Sequence, residues 1–191
     1  MALDTIRTLL QEDERLVERV VRTDHEWQGK IFSVERLEVR LSDGSTDLRE
    51  IVRHNGGAGV CVVRDGKMCL VRQYRVALGR MSLEIPAGKL DSHEDPATCA
   101  ARELTEETGL VAGRLEPLAV TAGAPGFNNE KTRVFAAYDV RQGEAAPDEG
   151  EFVDVVWVPV EDVVEAVRAG LIEDAKTVVS ALSVAAGLVR E

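Results

Sequence analysis

The stretch that most constrains this chain runs over residues 88–110, GKLDSHEDPATCAARELTEETGL. Asp95-Pro96 reads as a helix start, with Asp95 as the N-cap and Pro96 at the first helical position. Thr108-Gly109 reads as the stop, with Gly109 supplying a left-handed cap. Between them Ala97, Ala100, Ala101 and Leu104 give the helix one small, apolar side. Glu103, Glu106 and Glu107 then fall at i, i+3 and i+4, on one face.

That face costs stability. Like charges at this spacing repel by roughly 0.2–0.5 kcal/mol, and carboxylates near the negative end of a helix dipole lose a further ~0.3–1 kcal/mol. Arg102 offsets part of this. The spacing therefore predicts an external neutraliser, and a hard divalent cation such as Mg²⁺, which prefers carboxylate and phosphate oxygens, is the natural one. The alternative is a solvated acidic helix face in an acidic chain.

The wider pattern chooses between the two. Gly88, Glu94, Arg102, Glu103, Leu104, Glu106, Glu107, Gly109 and Leu110 stand at the spacings of the Nudix box. The chain thus resembles the Nudix hydrolases, which cleave nucleoside diphosphates linked to another moiety. Pro125 lies sixteen positions after Gly109, inside APGFNNE, and this resembles the ADP-ribose pyrophosphatases of that family. LVRQYR (70–75), LEIPAG (83–88) and the closing GLIEDAKT are similar to the same group. Ala124 departs from it, since that position is often Ser.

Composition narrows the function classes. The chain has 191 residues, 45% hydrophobic and 30% charged, enough for one domain with a core and a smaller appendage. A net charge of −11 argues against nucleic acid and against anionic membranes as partners. It leaves an anionic small substrate open, because a metal and local arginines invert the sign inside a cleft. Cys61, Cys69 and Cys99 sit among apolar or small residues without zinc-ligand spacing, and are expected as buried free thiols in a reducing compartment. No apolar run reaches the ~18 residues of a membrane span. No signal-peptide pattern opens the chain, so the cytoplasm is the expected location.

In chain order, residues 2–12 are weakly amphipathic. An extended stretch from Leu16 is expected to end in a polar turn over 24–30. IFSVERLEVRLS, the Asp43-Gly44 hairpin turn and 48–54 complete a three-stranded meander. It is too thin for a core of its own and must pack on the main domain or another subunit. The division expected is a meander over 1–55, the candidate dimerisation region, and a catalytic domain over 56–191. Strands are predicted at 58–63, 68–74, 81–85, 115–121, 132–140 and 152–158, an acidic loop at 141–150, and helices from Pro159 to Ala169 and from Asp174 to about Leu188. This order gives an α/β or α+β sandwich. The resemblance implies an α/β/α arrangement around a mixed sheet, with the box helix beneath the cleft.

The resemblance also implies roles. Water attacks a pyrophosphate bridge, with Mg²⁺ (or Mn²⁺) held by Glu103 and Glu107, Glu106 assisting and the Ala87 carbonyl completing the shell. Glu94 adds a water-mediated contact or ties down the loop. Arg102 suits a clamp on a neighbouring carboxylate, holding helix against loop. Glu130 is the candidate general base, with Glu106 or Glu107 as the other route; His54 and His93 are expected to be structural or exposed. Arg75 is the diphosphate contact, by its planar fork. Arg49 and Glu50 match positions that touch substrate across a subunit boundary. Phe32 either stacks on a base or fills a core or interface position. The substrate is a nucleoside diphosphate sugar, ADP-ribose first and GDP-mannose or another sugar diphosphate as the alternative. A homodimer is expected. A non-catalytic nucleotide-sugar-binding module is the competing class, and the full set of box carboxylates argues against it.

Overall fold

The computed structural model describes residues 2–145, 150 and 152–190. They form two units, Met1–His54 with Ala124–Asn129, and Asn55–Gly123 with Glu130–Glu191.

The first unit opens with helix α1 (Ala2–Leu9) and continues as an antiparallel sheet, β1 (Arg19–Gln28), β2 (Phe32–Arg40) and β3 (Thr46–His54), in that order. The polar segment 24–30, expected as a turn, belongs mostly to β1. Its polar side chains are used across the strands: Arg36 reaches Glu26 at 2.9 Å, and His25 lies 3.4 Å from Glu35. A strand whose polar residues find partners on the neighbouring strand has no local signature of its own. The real turn is shorter. The Gly29 N–H donates to the Phe32 carbonyl at 3.0 Å, and a Cβ at Gly29 would overlap the Trp27 ring. On β2, Leu37 and Val39 are buried, while Phe32 stacks at a tilt on Trp27 with ring centroids 5.0 Å apart. Segment 124–129 is zipped onto β3: the Val52 N–H donates to the Phe127 carbonyl at 2.7 Å, and the Asn129 N–H to the Val52 carbonyl at 3.2 Å.

The second unit is a mixed sheet between helices. Its elements are β4 (Gly57–Arg64), β5 (Lys67–Arg75), β6 (Arg80–Glu84), β7 (Ala87–Lys89), α2 (Pro96–Thr108), β8 (Leu110–Val111), β9 (Arg114–Thr121), β10 (Thr132–Tyr138), β11 (Arg141–Gln142), β12 (Asp154–Pro159), α3 (Val160–Arg168) and α4 (Ala175–Ala185). The sheet runs β12-β5-β4-β10-β9, with β6 on β5 and β7 on β4. Among the described residues of this sheet only β4 and β10 run parallel. Period-two alternation sorts the core. Ala58, Val60 and Val62 of β4, with Phe135 and Ala137 of β10, pack towards α2 residues Cys99, Ala100 and Leu104. Cys61, Val134 and Ala136 pack towards Val163 of α3 and Ala181 of α4. Each fully buried aliphatic side chain contributes about 1.5–3 kcal/mol.

One irregularity shapes the site. β4 and β5 are joined by a two-residue turn with positive φ at Asp65 (51°) and Gly66 (69°), which suits a tight hairpin. They pair only at Val63↔Met68 and Arg64↔Lys67, then part. β6 takes the edge that β5 leaves, and β7 takes the edge that β4 leaves. Residues 84–87 cross the resulting wedge.

The three-residue β7 and the short β8–β11 pair carry too little pattern for sequence reading. Part of the expected acidic loop, 146–149, lies outside the described residues. Cys61, Cys69 and Cys99 are free and buried, and burial pushes each thiol up to about 12. Among the described residues no helix is long and apolar enough to cross a membrane.

Candidate active site

Helix α2 is set by its caps. The Asp95 carboxylate accepts from the N–H groups of Ala97 and Thr98, both at 3.1 Å, and Pro96 begins the helix. At the other end Gly109 adopts φ 71°, and its N–H donates to the Thr105 carbonyl. A Cβ there would press on the Ala145 amide at 2.9 Å, so glycine is required twice over, by backbone and by space. Burial of Cys99, Ala100 and Leu104 against the sheet fixes the rotation of the helix, which sets the acidic face beside β7.

Arg102 gathers that face. Its Nε and Nη2 hold both oxygens of Glu94 at 3.1 Å, a two-point grip. Its Nη1 donates to Glu103 Oε1 and to Glu106 Oε2, each at 2.8 Å. Glu94 also closes its own turn, accepting from the Asp91 N–H at 3.0 Å. The Arg102 bonds, then that backbone bond, hold the Glu94 carboxyl at about 2. The box helix is thereby fastened to the loop before it.

β7 completes the arrangement. The Ala87 N–H donates to Glu107 Oε2 at 2.9 Å, and Glu107 is largely buried. The Glu103 carboxylate lies over Gly88, where any Cβ would overlap it. Gly88 is thus the seat of the carboxylate. Ala87, Gly88, Glu94, Arg102, Glu103, Glu106 and Glu107 are brought together.

The carboxylates are all hard oxygen donors, which suits a divalent cation of the Mg²⁺ type rather than zinc. Glu94, Glu103 and Glu106 share the Arg102 guanidinium, three carboxylates to one cation. Among the described residues no three acidic, His or Cys side chains form a ready-made coordination shell. Arg102 instead holds Glu94, Glu103 and Glu106, while the Ala87 amide holds Glu107.

Glu130 is half-buried, two residues before β10. The Gly57 N–H donates to the Lys131 carbonyl at 3.0 Å, which pins the segment to the start of β4. β7 flanks the same end of β4 on the other side. Two strand spacings, about 10 Å, therefore separate the backbones on either flank. Arg75, at the end of β5, commits Nε and Nη2 to Glu84 at 2.7 and 2.8 Å and keeps Nη1 for another partner. Arg49, Glu50 and Phe32 belong to the first unit. There Arg49 is paired with Glu18 at 2.6 Å and Asp47 at 2.6 Å, and Glu50 is exposed. His93 is exposed and has φ 64°, a turn position.

Sequence reasoning gave no role to Glu84, Asp174, Lys176 or Thr177. Lys176 Nζ donates to Glu84 Oε2 and to Asp174 Oδ1, both at 2.7 Å. Burial opposes ionisation of Glu84, but Arg75 and Lys176 outweigh it and hold the carboxyl at about 2. Their signal was present in LEIPAG and EDAKT, though nothing local links the two runs.

The chain is also similar to known proteins. The NUDIX domain signature matches residues 53–181, and the chain belongs to the Nudix family. It is a hydrolase of that family, and such hydrolases as a class use divalent metal ions. Its relatives include the ADP-ribose pyrophosphatase of Bacillus subtilis (strain 168), 39% identical over 85% of this chain and 89% of that one. Another is the methanol dehydrogenase activator of Bacillus methanolicus, 36% identical over 85% and 90%. A crystal structure of an ADP compounds hydrolase superposes with a TM-score of 0.79 at 23% identity, covering 93% of this chain and 97% of the other, and shares the fold.

Proposed function

We propose that this hydrolase cleaves the pyrophosphate bond of ADP-ribose, giving AMP and ribose 5-phosphate, with Mg²⁺ as its cofactor and Mn²⁺ as a substitute. The observation that carries the reading is the acidic face of α2, with Glu103 seated on Gly88 and Glu107 on the Ala87 amide. The substrate class rests on likeness to the B. subtilis pyrophosphatase.

Glu103 and Glu107 would hold the cation, with Glu106 assisting and the Ala87 carbonyl as a neutral donor. When bound, it polarises the phosphates and acidifies the attacking water. Arg102 keeps Glu103 and Glu106 from swinging away, so little ordering is left for the moment of reaction. Arg75 offers Nη1 to a phosphate oxygen while Glu84 fixes its plane. Glu130 takes the proton of the attacking water as it adds to phosphorus. The bridging P–O bond breaks, and its electron pair leaves with the departing phosphate. In a homodimer, Arg49, Glu50 and Phe32 would serve the partner's substrate, and Arg49 would then exchange Glu18 or Asp47 for it. Free thiols suit the cytoplasm as the place of action.

The test is turnover with ADP-ribose and Mg²⁺ in ¹⁸O-water, beside GDP-mannose and other sugar diphosphates. Equimolar AMP and ribose 5-phosphate are expected, with label in one product phosphate. A higher kcat/KM for GDP-mannose overturns the substrate assignment, and no hydrolysis of any of them overturns the reaction.

A further inference from the structure

The segment 84–87 that crosses the wedge between β6 and β7 is held at every residue, by β5, α4, β4 and α2 between them. Glu84 is gripped by Arg75 of β5 and Lys176 of α4. The Ile85 N–H donates to Thr177 Oγ1 at 2.8 Å, and that hydroxyl donates onward to Asp174 Oδ2 at 2.6 Å. The Pro86 carbonyl accepts from the Val60 N–H at 2.9 Å. The Ala87 N–H is bound by Glu107. Below the crossing, a Cβ at Gly59 would stand 3.1 Å from Ile85 Cδ1, 3.2 Å from Ala87 Cβ and 3.5 Å from Lys176 Cδ. The β4 backbone therefore approaches the segment so closely that a side chain at Gly59 would require its neighbours to shift by a few tenths of an ångström.

Stability alone does not account for this. The Lys176 and Glu84 side chains are only 13% and 5% exposed. A buried ion pair recovers little more than its desolvation cost, and an apolar pair of similar volume would serve as well. A buried Thr hydroxyl on a backbone N–H likewise fixes position more than it adds energy. What the arrangement specifies is where the chain runs just before Ala87 and Gly88, the two residues on which Glu107 and Glu103 are seated.

We propose that Thr177 and Lys176, at the start of α4, are positioning residues for the cation site, setting the Ala87 carbonyl and the Gly88 seat through the crossing segment. This rests on the cation reading above and extends it to a helix that contributes no ligand. Partners behind a metal's own ligands typically change affinity or activity by about 10–100-fold when removed.

The test uses the full chain. Mn²⁺ binding is measured without substrate, from the loss of the free-ion EPR signal, alongside kcat and KM for ADP-ribose at saturating Mg²⁺. Thr177→Val, which keeps shape and removes the hydroxyl, is expected to weaken Mn²⁺ binding about tenfold and lower kcat similarly, with KM within about twofold. Thr177→Ser is expected to restore both. Lys176→Met gives a second reading through the other contact and decides the matter if Thr177→Val does not fold. Unchanged Mn²⁺ binding in a folded variant overturns the proposal. So does an equal loss in Thr177→Ser, which would mark the effect as packing. If the wild type fails to hydrolyse ADP-ribose while Thr177→Val still weakens Mn²⁺ binding, the substrate assignment falls and the positioning role stands.

Discussion

Two knots of charge lie either side of β7, and their arithmetic differs. At Arg102, three carboxylates share one guanidinium and remain 12%, 13% and 27% exposed. At Glu84, two cations, Arg75 and Lys176, meet two carboxylates, Glu84 and Asp174, and Glu84 is 5% exposed. The first knot sets three carboxylates against one guanidinium, which suits an incoming cation. The second is matched in charge around the more deeply buried Glu84, which suits a joint that holds the chain in place. Acidic residues in the same unit thus do opposite work, and the local count of charges separates them.

The largest expected effect falls on the balanced knot. Glu84→Gln removes the charge that Arg75 and Lys176 share, though Lys176 keeps Asp174, and should destabilise the fold by about 3 kcal/mol, read by denaturant unfolding. The pH dependence has the same origin. Because the folded carboxyl is held at about 2, below its ordinary 4.5, its contribution is complete above about 4.5 and lost as pH falls through about 2. The stability gap between wild type and Glu84→Gln should narrow across that window. A gap independent of pH would break the comparison.

Next comes Glu107→Gln on the carboxylate-rich side. It should lower kcat/KM for ADP-ribose on the order of 10²–10³-fold, the range for losing one preorganised electrostatic contact. Turnover near wild type would remove Glu107 from the cation's ligands. A smaller effect is linkage. Mg²⁺ at ten times its Kd should stabilise the wild type by about 1.4 kcal/mol in a thermal melt, and Glu107→Gln much less. An equal shift in both would place the bound ion elsewhere. Smallest is Glu106→Gln, which relieves repulsion but also loses a bond to Arg102. Stability should stay within about 0.5 kcal/mol of wild type while activity falls. A loss as large as that of Glu84→Gln would erase the distinction between the knots.

What the sequence made legible follows the range of each interaction. Asp95, Pro96 and Gly109 announce the ends of α2 because capping is settled within a few residues. The Arg102 grip is also local, since Glu94 lies eight positions away and Glu106 four. Glu84 and Lys176, by contrast, lie 92 positions apart, and no period or spacing links them. The polar end of β1 looks like a turn for the same reason, because its partners stand on β2. Short β7, the strand that seats Glu103, became visible only as the filler of the gap left by β5.

The three sealed thiols have a practical consequence. Cys61, Cys69 and Cys99 all belong to the unit that carries the box helix, and each is fully shielded with its proton held to about 12. At neutral pH a disulfide reagent can label them only while that unit breathes open. Timed labelling of the unmodified chain, read by mass, would therefore clock those openings, and the pace should slow when Mg²⁺ is added.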